Sequence, residues 1–275
     1  MKRLLGFILL FASPSFSYAQ SPEMVAFFEK ADYSSIVDYC QSNSLSSSKD
    51  LVMAGYAHYV LNMEQKGLDY LDLARVKGYK GDDLHLYRGL CLRYLNRLDE
   101  AELALNTFLT KEPGHVVAQY ELGMIAYFRQ DLPKAASIFK ELASMAPPHP
   151  GALYMRGHVA HVRGNFEEAL VLLYAAAKVL PDAHPFHARA WLDVGSIELG
   201  LMQRPEKAAD AFEKAIPAIS EIQQVHKALR ANYGADRDHR GADFFRQLQE
   251  LKAENRVQSE WFDKEYLEIA QFNDF

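Results

Sequence analysis

The chain has 275 residues, 49% of them hydrophobic, which suits one or two ordinary cores or one elongated array. Its 36 acidic and 30 basic residues give a formal charge of -6, and loss of Lys2 and Arg3 with a leader takes this to -8. That balance excludes a nucleic-acid binder or a binder of anionic lipid, and nothing past the first nineteen residues is apolar enough for membrane insertion.

The first element in chain order is an export signal over 1–19. Lys2 and Arg3 supply a positive start, Leu4 to Ala12 a short apolar run, and Ser17-Tyr18-Ala19 a small-x-small cleavage site. Pro14 ends the run well short of the ~20 residues a membrane span requires. Cleavage near Ala19 is expected, with the mature chain beginning at Gln20 in the periplasm or outside the cell. Residues 20–47 read as a degenerate helical pair that caps the N-terminus. Ala31-Asp32-Tyr33 followed by Ile36, Tyr39 and Cys40 has the pattern of a turn and a second helix, about three residues out of phase with the repeats that begin at residue 48. The Ser-rich stretch 44–48 absorbs the slip. Cys40 and Cys91, the two cysteines, sit in apolar helical contexts on separate units and read as small buried apolar residues rather than as a bridge.

From residue 48 onward the chain repeats every 34 residues. Gly55, Gly89, Gly123 and Gly157 form one ladder of small residues, and Gly67, Ala101, Ala135 and Ala169 a second. Leu71, Leu105, Phe139 and Leu173 form a large apolar ladder, expected to point into the seam with the next unit. Pro113, Pro147 and Pro181 close three of the units and are expected to stop their second helices. The units are 48–81, 82–115, 116–149 and 150–183, each predicted as two helices of about three turns joined by a polar turn such as Arg163-Gly164-Asn165. Small side chains are required where two helices of a hairpin cross closely. After an insertion around His184-Pro185-Phe186-His187, a fifth unit over 188–222 restores the pattern with Trp191, Gly195, Ala208, Phe212 and Ala215. Residues 223–275 complete the chain with capping helices, marked by Phe244, Phe245, Leu248 and Leu251, and an aromatic, acidic tail.

This pattern resembles the tetratricopeptide repeat family over nearly the whole mature chain. Gly123 with Ala135, Phe139 and Pro147, and Gly157 with Asn165-Phe166, Ala169 and Pro181, carry most of that family's signature. Unit 48–81 departs from it, with Gly67 in place of alanine and Tyr79 in place of proline, so a looser second helix is expected there. The resemblance implies an all-α fold, a right-handed α-solenoid of about five helix pairs with helical caps at both ends, whose first helices line a concave face. It also implies which positions line that face: Val52, Leu86, Tyr120, Tyr154; Tyr56, Leu90, Met124, His158; Tyr59, Arg93, Tyr127, His161; and Val60, Tyr94, Phe128, Val162. Tyr56, Tyr59, Arg93, Tyr94, Tyr120, Met124, Tyr127, Phe128, Tyr154, His158 and His161 are therefore the candidate peptide groove, with about half expected to be mainly core. Tyrosine covers apolar area at low entropic cost and keeps a hydroxyl for hydrogen bonding. The expected partner is a peptide or protein segment with apolar and aromatic side chains. Some relatives grip a terminal carboxylate with asparagine, and Tyr56, Leu90, Met124 and His158 stand at that position here, which disfavours that mode.

No nucleophile elbow, His-Glu-x-x-His, phosphate-binding glycine loop or Cys-x-x-Cys is present, so neither an enzyme nor a bound cofactor is expected. An alternative places a metal ion, bound or catalytic, on His158 and His161, at i, i+3 on one helical face, together with His184 and His187. A further alternative is a structural subunit that self-associates through the tail 261–275. The leading expectation is an exported scaffold or adaptor in cell-envelope assembly or secretion.

Overall fold

The computed structural model describes residues 21–181 and 184–215. The export signal 1–19, the end of the fifth unit and the cap and tail over 223–275 lie outside the described residues.

Among the described residues the chain forms twelve α-helices in six successive hairpins and no strand. The N-terminal pair is α1 (Pro22–Glu29) and α2 (Tyr33–Ser42). It is followed by α3 (Ser48–Val60) with α4 (Glu64–Val76), α5 (Asp83–Tyr94) with α6 (Leu98–Leu109), and α7 (Val116–Phe128) with α8 (Leu132–Ala143). Then come α9 (Pro150–Val162) with α10 (Phe166–Val179), and α11 (Pro185–Gly200) with α12 (Pro205–Ala215). The helices α4, α6, α8 and α10 start at 64, 98, 132 and 166, in step with the sequence period. The last of these hairpins breaks step: α11 already starts one residue late and is 16 residues long where α9 has 13.

The turns recur with the 34-residue period. From α3 to α10 each hairpin turn holds one residue in the left-handed region: Asn62 at φ 58°, Asn96 at 57°, Gln130 at 61° and Gly164 at 78°. One such residue reverses the chain in the few positions between two helices, and its amide reaches back to the helix just completed, as Gln130 does to the carbonyl of Tyr127.

The small ladder is a row of notches. A Cβ on Gly55, Gly89, Gly123 or Gly157 stands 2.5, 2.7, 2.7 or 2.6 Å from Leu71, Leu105, Phe139 or Leu173 respectively, all inside contact distance. The large ladder thus fills the gap over the glycine of its own hairpin. Each of these side chains is fully buried, which stabilises by about 1.5–3 kcal/mol. Gly67 replaces alanine for a similar reason: a Cβ there lies 2.8 Å from the carbonyl oxygen of Gly55. α4 is nevertheless a full 13-residue helix, so the departure tightens the crossing and shortens nothing.

The prolines also act differently from expectation. Pro113 and Pro147 stand four residues beyond the ends of α6 and α8, and Pro181 two beyond α10, so they shape the loops after helices that have already ended. Cys40 and Cys91 are both buried and no disulfide joins them.

Second helices pack between their own first helix and the next one, while first helices also meet directly: α3 with α5, α5 with α7, α7 with α9 and α9 with α11. The row of first helices is therefore the more closely spaced, and the array curves with these helices on its inner side. No helix among the described residues is long and apolar enough to cross a membrane.

Candidate functional site

The inner-face positions separate by row. Val52, Leu86, Tyr120 and Tyr154 are all buried. Met124, Tyr127, His158, Leu90 and Arg93 are buried as well. Of the candidate groove residues, Arg93, Tyr120, Met124, Tyr127, Tyr154 and His158 thus pack between helices, and Tyr56, Tyr59, Tyr94, Phe128 and His161 remain half-exposed. The last residue of each first helix, Val60, Tyr94, Phe128 and Val162, forms the row that reaches the surface, because the chain leaves the packed layer at that point.

The half-exposed rings form a connected strip. Tyr56 lies 6.0 Å from Tyr59 and 4.7 Å from Tyr87, between ring centroids, and Tyr59 lies 5.6 Å from Tyr94. Tyr87 is a member that the family positions do not include. Burial raises the phenol pKa of Tyr56, Tyr59 and Tyr87, so their hydroxyls stay protonated and able to donate.

Beneath the strip, Arg93 pairs through Nε with the carboxylate of Glu121, both almost wholly buried. The guanidinium carbon sits 3.8 Å from the Tyr94 ring centroid and 6.0 Å from that of Phe128. Arg93, one of the candidate groove residues, is therefore committed to a carboxylate of the protein itself and to the underside of the aromatic strip.

A second polar cluster lies where α9 meets α11. His158 Nδ1 is 2.8 Å from Asp193 Oδ2, and Tyr154 donates its hydroxyl to the same oxygen at 2.9 Å. His158 Nε2 is 3.0 Å from the Tyr127 hydroxyl. Burial favours a raised pKa for Asp193, but His158 and Arg189 outweigh it and hold the carboxyl below its ordinary range. Burial pushes Tyr127 up to about 12 and lowers His161. Among the described residues, the ligand atoms of His158, His161 and Asp193 lie within 4.8 Å of one another.

His184 and His187, expected to join His158 and His161, stand apart from that group. His184 Nδ1 accepts the amide of Phe186, and His187 Nε2 accepts the indole N–H of Trp191 at 3.0 Å. His184 belongs instead to a ladder of histidine helix caps. His115, His149 and His184 each accept a backbone amide on Nδ1, at 3.3, 3.2 and 3.2 Å, at the start of α7, α9 and α11. Burial lowers all three, His149 and His184 to about 4.

The tetratricopeptide repeat family model matches residues 86–150, 120–182 and 154–221, three overlapping stretches whose starts are one period apart. No curated protein matches the sequence. Among solved structures, the apo form of the quorum sensor NprR from B. thuringiensis is similar over 80% of this chain and 71% of that one, with TM-score 0.64 and 14% identity. A MamA fragment, residues 41 to the end, from Desulfovibrio magneticus RS-1 is similar over 64% of this chain and 96% of that one, with TM-score 0.52 and 16% identity. At such identities the likeness is one of fold. With the glycine notches, turns and second-helix starts from α5 to α10 in the same step as the matched stretches, residues 86–221 of this chain carry tetratricopeptide repeats.

Proposed function

We propose that the chain is an exported scaffold or adaptor of cell-envelope assembly or secretion, which holds a peptide or protein segment along the inner side of its helix array. The observation that carries this reading is the strip of Tyr56, Tyr59, Tyr87 and Tyr94, large rings left partly exposed side by side on consecutive first helices, with partly exposed Phe128 at the same position of the next first helix. Rings so placed have already lost most of their rotamer freedom to their neighbours, so a ligand gains their contact area at little further entropic cost. The buried Arg93 beneath Tyr94 is paired with Glu121, so the strip is neutral. A ligand segment with apolar and aromatic side chains fits it, and the work done there is binding rather than chemistry.

The test is capture from an envelope extract by the tagged chain. A Tyr94→Ala/Phe128→Ala variant is expected to lose a partner that the unaltered chain retains, since aromatic anchors of this kind contribute about 2 kcal/mol or more each. Val171→Ser, on an exposed position of α10, is expected to keep it. Retention of every partner by the double variant, with its helical circular dichroism unchanged, would remove the strip as the binding surface. Export is tested separately by sequencing the N-terminus of the periplasmic protein, expected to begin at Gln20.

A further inference from the structure

We propose that His158, His161 and Asp193 form a site for one divalent first-row metal ion of the zinc class, on the inner side of the array where α9 meets α11. This goes beyond the scaffold reading and does not depend on the aromatic strip.

The donor set is two imidazoles and a carboxylate, the combination that suits zinc and its neighbours. Its ligand atoms already lie within 4.8 Å of one another. Around a tetrahedral ion with bonds near 2.1 Å, two ligand atoms stand roughly 3.3 Å apart. His158 Nδ1 and Asp193 Oδ2, at 2.8 Å, are close to that spacing before any ion arrives. His161, half-buried like Asp193, stands one turn beyond His158 on the same face of α9, and a rotation of its ring supplies the closure that remains.

The surroundings are those of a supported site. A metal-bound imidazole needs its other nitrogen held, and the Tyr127 hydroxyl stands 3.0 Å from His158 Nε2. A ligating carboxylate needs orientation, and the Tyr154 hydroxyl donates to Asp193. Three protein ligands leave a fourth position of a tetrahedral ion for water or for a side chain of a bound partner.

The test is titration of the tag-free, full-length chain with zinc chloride after chelator treatment, read by calorimetry and by metal content after gel filtration. One equivalent of zinc per chain is expected. His161→Ala and Asp193→Asn are each expected to weaken binding at least about tenfold with the helical signal retained. His115→Asn, which keeps a capping side chain on α7 and lies outside the cluster, is expected to bind as the unaltered chain does. If Asp193→Asn loses its helical signal, His161→Ala alone decides. Absence of stoichiometric zinc on the unaltered chain, or binding by His161→Ala at full strength, overturns the proposal.

Discussion

Gly164 and Gln130 occupy the same place in successive turns, at φ 78° and 61°, yet only one of them is a glycine. A side chain in the left-handed region costs about 1–2 kcal/mol, so Gly164→Ala is expected to lower stability by about 1 kcal/mol in urea denaturation. Gln130→Gly relieves the same strain but frees the unfolded chain, which returns about 0.4–1 kcal/mol. Its net gain is expected to be under about 1 kcal/mol, with the opposite sign to Gly164→Ala. A larger effect belongs to Glu121, whose carboxylate faces Arg93 with both side chains out of water. Glu121→Ala leaves an uncompensated buried guanidinium and is expected to cost about 3–5 kcal/mol. The double change Arg93→Met/Glu121→Leu removes both charges and is expected to cost far less, which a double-mutant cycle in chemical denaturation reads directly.

Three first helices, α7, α9 and α11, begin on a histidine where serine, aspartate or asparagine usually caps, and this ties those elements to pH. The caps work only while Nδ1 carries no proton. Folded His149 and His184 titrate at about 4, against 6.5 for an ordinary imidazole, because burial disfavours the charged ring. A depressed folded value means that the unfolded chain binds protons first as the pH falls. The caps' contribution is therefore complete above about pH 6.5 and declines through pH 4. Melting temperature is expected to fall across that window, and the His149→Asn/His184→Asn variant, which caps without titrating, is expected to show a shallower decline. The caps stand at 115, 149 and 184, near the step of the glycines, so they are legible in the sequence once a capping role for histidine is admitted. The hairpins and their glycine notches are legible for the same reason: each recurs at a fixed spacing and needs one residue type. Arg93 with Glu121, and His158 with Asp193, are not. They join residues 28 and 35 positions apart, off the period, and their meeting depends on side-chain directions across two neighbouring helices. The burial of Tyr120, Met124, Tyr127 and Tyr154 is hidden likewise, since the spacing places a residue on the first helix but does not say how closely the next first helix approaches.

Along the whole molecule the core is a chain of local cores. Met24, Ile36 and Ala54 belong to one cluster at the N-terminal end, Leu71, Leu92 and Leu105 to a second, and Phe139, Tyr154 and Leu173 to a third. Each hairpin packs on its neighbours in sequence, so stability is expected to be close to a sum of unit terms and interface terms rather than one global quantity. Gly123→Val tests this at the middle of the array. Already a Cβ at 123 lies 2.7 Å from Phe139, and the two further methyl groups have no room, so α7 and α8 must part. Overpacking of this kind costs about 1–3 kcal/mol, enough to speed amide exchange about tenfold or more where the lost contacts lie. Hydrogen exchange is expected to rise across α7 and α8 and in the faces of α6 and α9 that touch them. The hairpins α3 with α4 and α11 with α12 share no helix with the damaged crossing and are expected to keep their protection. A uniform rise through every helix would instead mean that the hairpins unfold as one body, and that the interfaces between units outweigh the units themselves.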